Sequence, residues 1–232
     1  MKKGIREAAI YCLIAASVLL AAYWGSQTAT VMAENALVER EHCILIDPGH
    51  GGIDGGAISC TGKPESIYNL EISLRLRDLL AFLGHKTKMT REKDVSIYAE
   101  GETIAQKKVS DLKERVRIAN SEENMLLLSI HQNTFSDSRY HGAQVFYAKT
   151  VGSRELAEAM QNTLLMHLNP GSNRKTKRSD GIYLMEHIQC PGILIECGFL
   201  SNPQEEFRLE STDYQKRLCC VIAGTVSQYL SN

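Results

Sequence analysis

Four residues able to do acid–base or metal chemistry stand where apolar stretches of the chain give way to polar ones. Ile44-Leu45-Ile46 runs into Asp47-Pro48-Gly49-His50-Gly51-Gly52-Ile53-Asp54-Gly55-Gly56, Ser129-Ile130 runs into His131-Gln132-Asn133, and Ile195 leads to Glu196-Cys197-Gly198-Phe199. Glu65 opens the first long helical pattern. In open α/β sheets ligands bind in the crevice beyond the carboxyl ends of the strands. Two histidines and a glutamate arriving there point to a metal site. Taken singly, each has a plainer explanation. A lone histidine after a strand is more often a hydrogen-bonded structural residue, and Glu65 alone suits the positive end of a helix dipole. The glycines from Gly49 to Gly56 match neither phosphate-binding order and read as a loop that brings backbone close to a site. The spacing of His50, Glu65 and His131 is too wide for a local zinc signature such as His-Glu-x-x-His. The residues alone reach a metal site and no particular reaction.

The elements that must position these residues alternate between strand and helix. Cys43–Ile46 reads as a buried strand and Tyr68–Leu83 as a helix stopped by Gly84. His85–Thr90 reads as a second strand, residues 92–110 as a surface loop with at most a helical turn, and Asp111–Glu123 as a helix capped by Ser110. Strands follow at Met125–Ile130, Gly142–Ala148 and Gly192–Glu196, with helices at Ser153–His167 and Tyr214–Leu230. This order predicts one α/β domain over 43–232, a mixed, mainly parallel sheet flanked by helices. Glu186 lacks the strand-end setting of Glu196 and is expected on a surface segment. Arg174, Lys175, Lys177 and Arg178 are expected in a solvated loop rather than as a contact for an anionic ligand.

Ahead of the domain, Lys2, Lys3 and Arg6 precede an uncharged apolar run from Ala8 to Trp24. Such a run fits either a signal peptide cleaved near Val31-Met32-Ala33 or a retained membrane helix, and its length favours the anchor. Residues 1–42 are thus expected to be anchor or signal plus a polar tether, with the domain outside the cytoplasm. A formal net charge of −1 gives no electrostatic case for nucleic acid as a partner. Of the seven cysteines, Cys12 falls in the apolar run; the others are read as buried small hydrophobes, since no Cys-x-x-Cys pair is present.

The ordered set from Ile46 to Ala57, Glu65 with Asn69-Leu70, Ser129 to Asn133 and Leu194 to Asn202 resembles the zinc-dependent N-acetylmuramoyl-L-alanine amidases of the type 3 catalytic domain. Thr90-Arg91 and Arg115 with Ala119-Asn120 fit the same pattern. Gly142–Tyr147, Gly181–Leu184 and Glu196–Pro203 are similar to the germination-specific amidases of spore-forming bacteria in particular. The resemblance implies Zn²⁺ held by His50, Glu65 and His131, with Glu196 as the catalytic glutamate. Three protein ligands leave a fourth position for water, as catalytic zinc requires. Pro64 before Glu65 departs from the family pattern but is compatible with a helix start.

The resemblance further implies peptidoglycan as substrate, removal of stem peptides from spore cortex as the first step of muramic-δ-lactam formation, and an activating lipoprotein partner. Localisation is expected outside the cytoplasmic membrane, in the space between the spore membranes. Two other functions compete: a non-catalytic peptidoglycan-binding protein, and a zinc peptidase cutting within the stem.

Overall fold

A computed structural model describes residues 16–25 and 42–231. Residues 16–25 are helical and exposed. Among the described residues no helix is long and apolar enough to cross a membrane. The start of the apolar run with Cys12, the Val31-Met32-Ala33 cleavage position and most of the tether lie outside the described residues. His42–Asn232 forms a compact unit of its own.

Six strands make one sheet in the order β2-β1-β3-β6-β4-β5. They are β1 (Cys43–Pro48), β2 (Lys86–Met89), β3 (Met125–Asn133), β4 (Gln144–Tyr147), β5 (Lys177–Arg178) and β6 (Gly192–Phe199). All neighbours pair in parallel except β4 and β6, which run antiparallel. The helices are α1 (Glu65–Phe82), α2 (Ile104–Ala119), α3 (Ser153–His167), α4 (Tyr183–His187), α5 (Pro203–Glu210) and α6 (Thr212–Leu230). The expected α/β domain with a mixed, mainly parallel sheet between helices is the fold observed.

Strand alternation sorts the core into two layers. Ile44, Ile46, Leu126, Leu128, Ile130, Ile193 and Ile195 face the stripe of Ile72, Leu76 and Leu80 on α1, with α3 and α6 beside it. Cys43, Leu45, Met125, Leu127 and Leu194 face the smaller layer that holds Ala119 of α2 and Leu184 and Met185 of α4.

Three expectations are corrected. Helix α2 begins at Ile104, inside the stretch expected to be loop, and stops at Ala119. Thr103, not Ser110, caps it: the Thr103 side chain accepts from Gln106 N, and Gln106 caps Thr103 N in return, a reciprocal capping box. The helix is amphipathic but mostly polar, and only Arg115 and Ala119 are buried, so its apolar period is faint in sequence. Strands β3 and β6 both outrun their expected ends. They continue through His131 and Glu196, which are register partners, across an irregularity between His131 and Asn133. Finally, Cys43, Cys190, Cys197 and Cys219 are buried as expected, whereas Cys60 and Cys220 are exposed, and none of these six is in a disulfide.

Candidate metal centre

Strand β1 ends at Pro48, and the chain turns through Gly49 to His50, whose φ of 60° is the sole left-handed non-glycine conformation among the described residues. Two guanidinium groups hold that turn. Arg91 donates from Nε to the Pro48 carbonyl (3.0 Å) and from Nη2 to those of Gly49 (3.0 Å) and Ser66 (2.9 Å). Arg115 of α2 donates to Pro48 O (2.9 Å) and His50 O (2.7 Å). Arg115 also meets the fully buried Asp47 at 2.5 Å, and Thr90 and Ser129 donate to the same carboxylate, each at 2.7 Å. Burial acts to raise the Asp47 pKa, but Arg115 and the two hydroxyls outweigh it and hold the group below the usual carboxylate value.

Glu65 enters as the first residue of α1, directly after Pro64 in extended geometry. Its side chain is buried and anchored by Ala57 N (3.0 Å), Asn69 Nδ2 (3.0 Å) and Gln132 N (3.1 Å). Its two oxygens face the two imidazoles, Oε1 at 3.0 Å from His131 Nδ1 and Oε2 at 3.3 Å from His50 Nε2. The other nitrogen of His50 lies 3.0 Å from Asp54 Oδ2, and Asp54 Oδ1 pairs with Lys108 of α2 at 2.7 Å. A carboxylate behind one ring nitrogen fixes the ring and leaves the other nitrogen directed inward. Burial opposes charge on His50, yet Glu65 and Asp54 prevail and raise its pKa to about 9. Burial likewise opposes ionisation of Glu65, but His131 and His50 hold its pKa far below the ordinary value.

One donor atom from each of His50, Glu65 and His131 lies within 4.8 Å of the others. Two imidazoles and one carboxylate form a donor set that suits zinc and leaves room for a fourth ligand. Glycines close in around the set: a Cβ on Gly49 would stand 2.2 Å from the His131 ring, and one on Gly56 would stand 2.6 Å from Glu65 Oε2. Glu196 stands in register beside His131 on the neighbouring strand. Its Oε2 is buried and finds no hydrogen-bond partner among the described residues. Burial pushes its pKa up to about 7.

The structure thus gathers His50, Glu65 and His131 into one cluster, with Glu196 in the adjacent strand row. Glu186, as expected, is exposed, and accepts a hydrogen bond from Gly181 N on the short helix α4. Asp54, Lys108 and the two clamping arginines are parts of the site to which the sequence assigned no role. Only the Gly-Gly-Ile-Asp-Gly-Gly run hinted at Asp54.

Residues 44–228 match the family described as N-acetylmuramoyl-L-alanine amidase. The chain belongs to that family. It is 40% identical over 191 residues to the germination-specific N-acetylmuramoyl-L-alanine amidase of Bacillus subtilis, covering 81% of this chain and 79% of that protein. It is 32% identical to the B. subtilis N-acetylmuramoyl-L-alanine amidase LytC, where the match takes 80% of this chain but only 35% of LytC. Among solved structures, the CwlD amidase of Clostridioides difficile, in complex with the GerS lipoprotein, superposes with a TM-score of 0.78 at 39% identity. That superposition spans 82% of this chain and 98% of CwlD.

Proposed function

We propose that this member of the amidase family hydrolyses the amide joining N-acetylmuramic acid to L-alanine in peptidoglycan, with His50, Glu65 and His131 as ligands of Zn²⁺ and Glu196 as the catalytic carboxylate. The observation that carries this is the convergence of three donor atoms within 4.8 Å, beside a buried carboxylate oxygen with no hydrogen-bond partner among the described residues. When bound, zinc lowers the pKa of water to about 7 and polarises a carbonyl. Glu196 takes the proton from the attacking water and passes it to the departing alanine nitrogen. Asp54 fixes the His50 ring, while Arg91 and Arg115 hold the turn that presents it.

Forty per cent identity to a germination-specific amidase supports spore-cortex peptidoglycan as the substrate and stem removal as the first step towards muramic-δ-lactam. Likeness to an amidase solved with a lipoprotein supports an activating lipoprotein partner. The basic and apolar N-terminal residues support export, with residues 1–42 as anchor or signal plus tether and the catalytic domain outside the cytoplasmic membrane; likeness to a germination-specific amidase supports the space between the spore membranes.

Digestion of defined muropeptides by the purified chain, with and without chelator, tests this. The expected products are intact glycan and peptides with a new amino-terminal L-alanine, formed only when zinc is present. Cleavage inside the stem would make the chain a peptidase. No zinc bound and no cleavage restored by zinc would make it a wall-binding protein.

A further inference from the structure

Resting on the amidase assignment, we infer that Arg174 is a specificity residue that receives a carboxylate of the stem peptide, one residue beyond the alanine of the scissile amide. His131, Glu196 and Gln144 are register partners on β3, β6 and β4 and so form one row across three adjacent strands. Strands lie about 4.8 Å apart, so the row carries the site roughly 10 Å from the metal-binding cluster towards β4. Arg174 sits at the far end of that row. Its Nη1 donates to Gln144 Oε1 (3.2 Å), and its Nε donates to the His141 carbonyl (2.8 Å). Its guanidinium carbon lies 4.8 Å from the centre of the Phe199 ring, and Phe199 is three residues past Glu196 on β6.

This guanidinium is held in place, and no carboxylate among the described residues pairs with it. Both of its hydrogen-bond acceptors are uncharged, whereas Arg178, on the same basic segment, is paired with Asp180 at 2.8 Å. Gln144, which orients it, is itself buried and tied through Nε2 to the Lys175 carbonyl. A guanidinium offers five N–H donors in a planar fork; two are used here, and the rest suit a carboxylate. Lys175 and Lys177, by contrast, are exposed; Lys175 lies in the expected loop, whereas Lys177 and Arg178, expected there too, form the edge strand β5.

The side of the substrate follows from the chemistry. Glu196 delivers its proton to the departing nitrogen, and Glu196 lies on the β4 side of His131, so the amine product extends towards β4. An extended residue spans about 3.3–3.6 Å. The distance to the Arg174 end of the row therefore places the acidic group of the residue after alanine there, not a group on the glycan.

The test compares muramoyl-L-alanyl-D-glutamate, whose α-carboxylate is free, with muramoyl-L-alanyl-D-isoglutamine, whose α-group is a carboxamide, as substrates of the zinc-loaded full chain. Wild type should prefer the carboxylate about 10- to 100-fold in kcat/KM, mostly through KM, the size expected of a hydrogen bond to a charged group. In Arg174→Gln that ratio should collapse to about one, and Arg174→Lys should restore part of it. Zinc stoichiometry of the variants, measured alongside, separates recognition from damage to the metal-binding cluster. A preference that survives Arg174→Gln, or a wild type that does not discriminate, would overturn the assignment of Arg174 and leave the amidase intact. Failure of wild type to cut either peptide would overturn the amidase assignment and this inference together.

Discussion

Burial pushes the Glu196 carboxyl up to about 7; His131 and His50 pull against it and Glu65 adds to it. A general base works best with a pKa near the operating pH. Only its deprotonated form accepts the water proton, so kcat/KM should rise with pH through the Glu196 pKa and fall away below it. A bound cation favours the ionised form, which places the acid limb of the profile at or below about 7. Glu196→Gln should lose about 10²–10⁴-fold in kcat and the limb with it, while metal analysis still finds one zinc per chain. Full activity in that variant would remove Glu196 from the reaction. Gly49 makes a second residue-level test. A Cβ there would overlap the His131 ring at 2.2 Å, so Gly49→Ala should weaken zinc binding at least about tenfold in a competition titration with a chromophoric chelator. His50, His131 and Glu196 were legible in the sequence because each follows an apolar run. The grouping of Glu65 with them came from family resemblance, since its partners are distant in sequence; His131 is 66 residues away.

Between residue and fold lies the clamp on the β1 turn. Arg91 follows β2 and Arg115 comes from α2, and together they engage the carbonyls of three consecutive residues, Pro48, Gly49 and His50. A non-glycine residue in the left-handed region costs about 1–3 kcal/mol and persists only where its surroundings over-determine it. The two arginines supply that constraint for His50. Arg115→Met should lower thermal stability, because it strands the buried Asp47 at a cost of about 3–5 kcal/mol, and should also weaken zinc binding by releasing the His50 carbonyl. Calorimetry reads the first effect and chelator competition the second. An unstable variant with wild-type zinc affinity would limit the clamp to a structural role. No sequence pattern announces such a clamp, because its acceptors are backbone carbonyls about 40–70 residues away from the donors. The strands other than β5, and the long helices α1, α3 and α6, were readable from apolar period; β5 is two exposed basic residues and carries no such signal. Helix α2 was not, since it rests on a capping box and buries only two residues. Helix α5 also escaped notice, being one short polar segment opened by Asn202 and Pro203.

At the scale of the whole molecule, the ligand set joins the β1 turn, the start of α1 and the interior of β3, three pieces that only the finished sheet brings together. An unfolded chain holds no such site, so zinc binds the native state alone and its binding free energy adds to folding. With zinc at a hundred times its Kd the gain is about 2.7 kcal/mol, which for a domain of this size raises Tm by about 5–10 °C. Chelation should therefore lower Tm by that amount, and added zinc should restore it. Glu196→Gln should respond to zinc as wild type does, because its carboxylate stands beside the ligand set and outside it. His131→Ala should lose the response, since removing one of three protein ligands leaves too few to hold the ion. A zinc-induced rise of the same size in His131→Ala would place the stabilising ion elsewhere in the molecule and detach the cluster of His50, Glu65 and His131 from any metal-dependent chemistry.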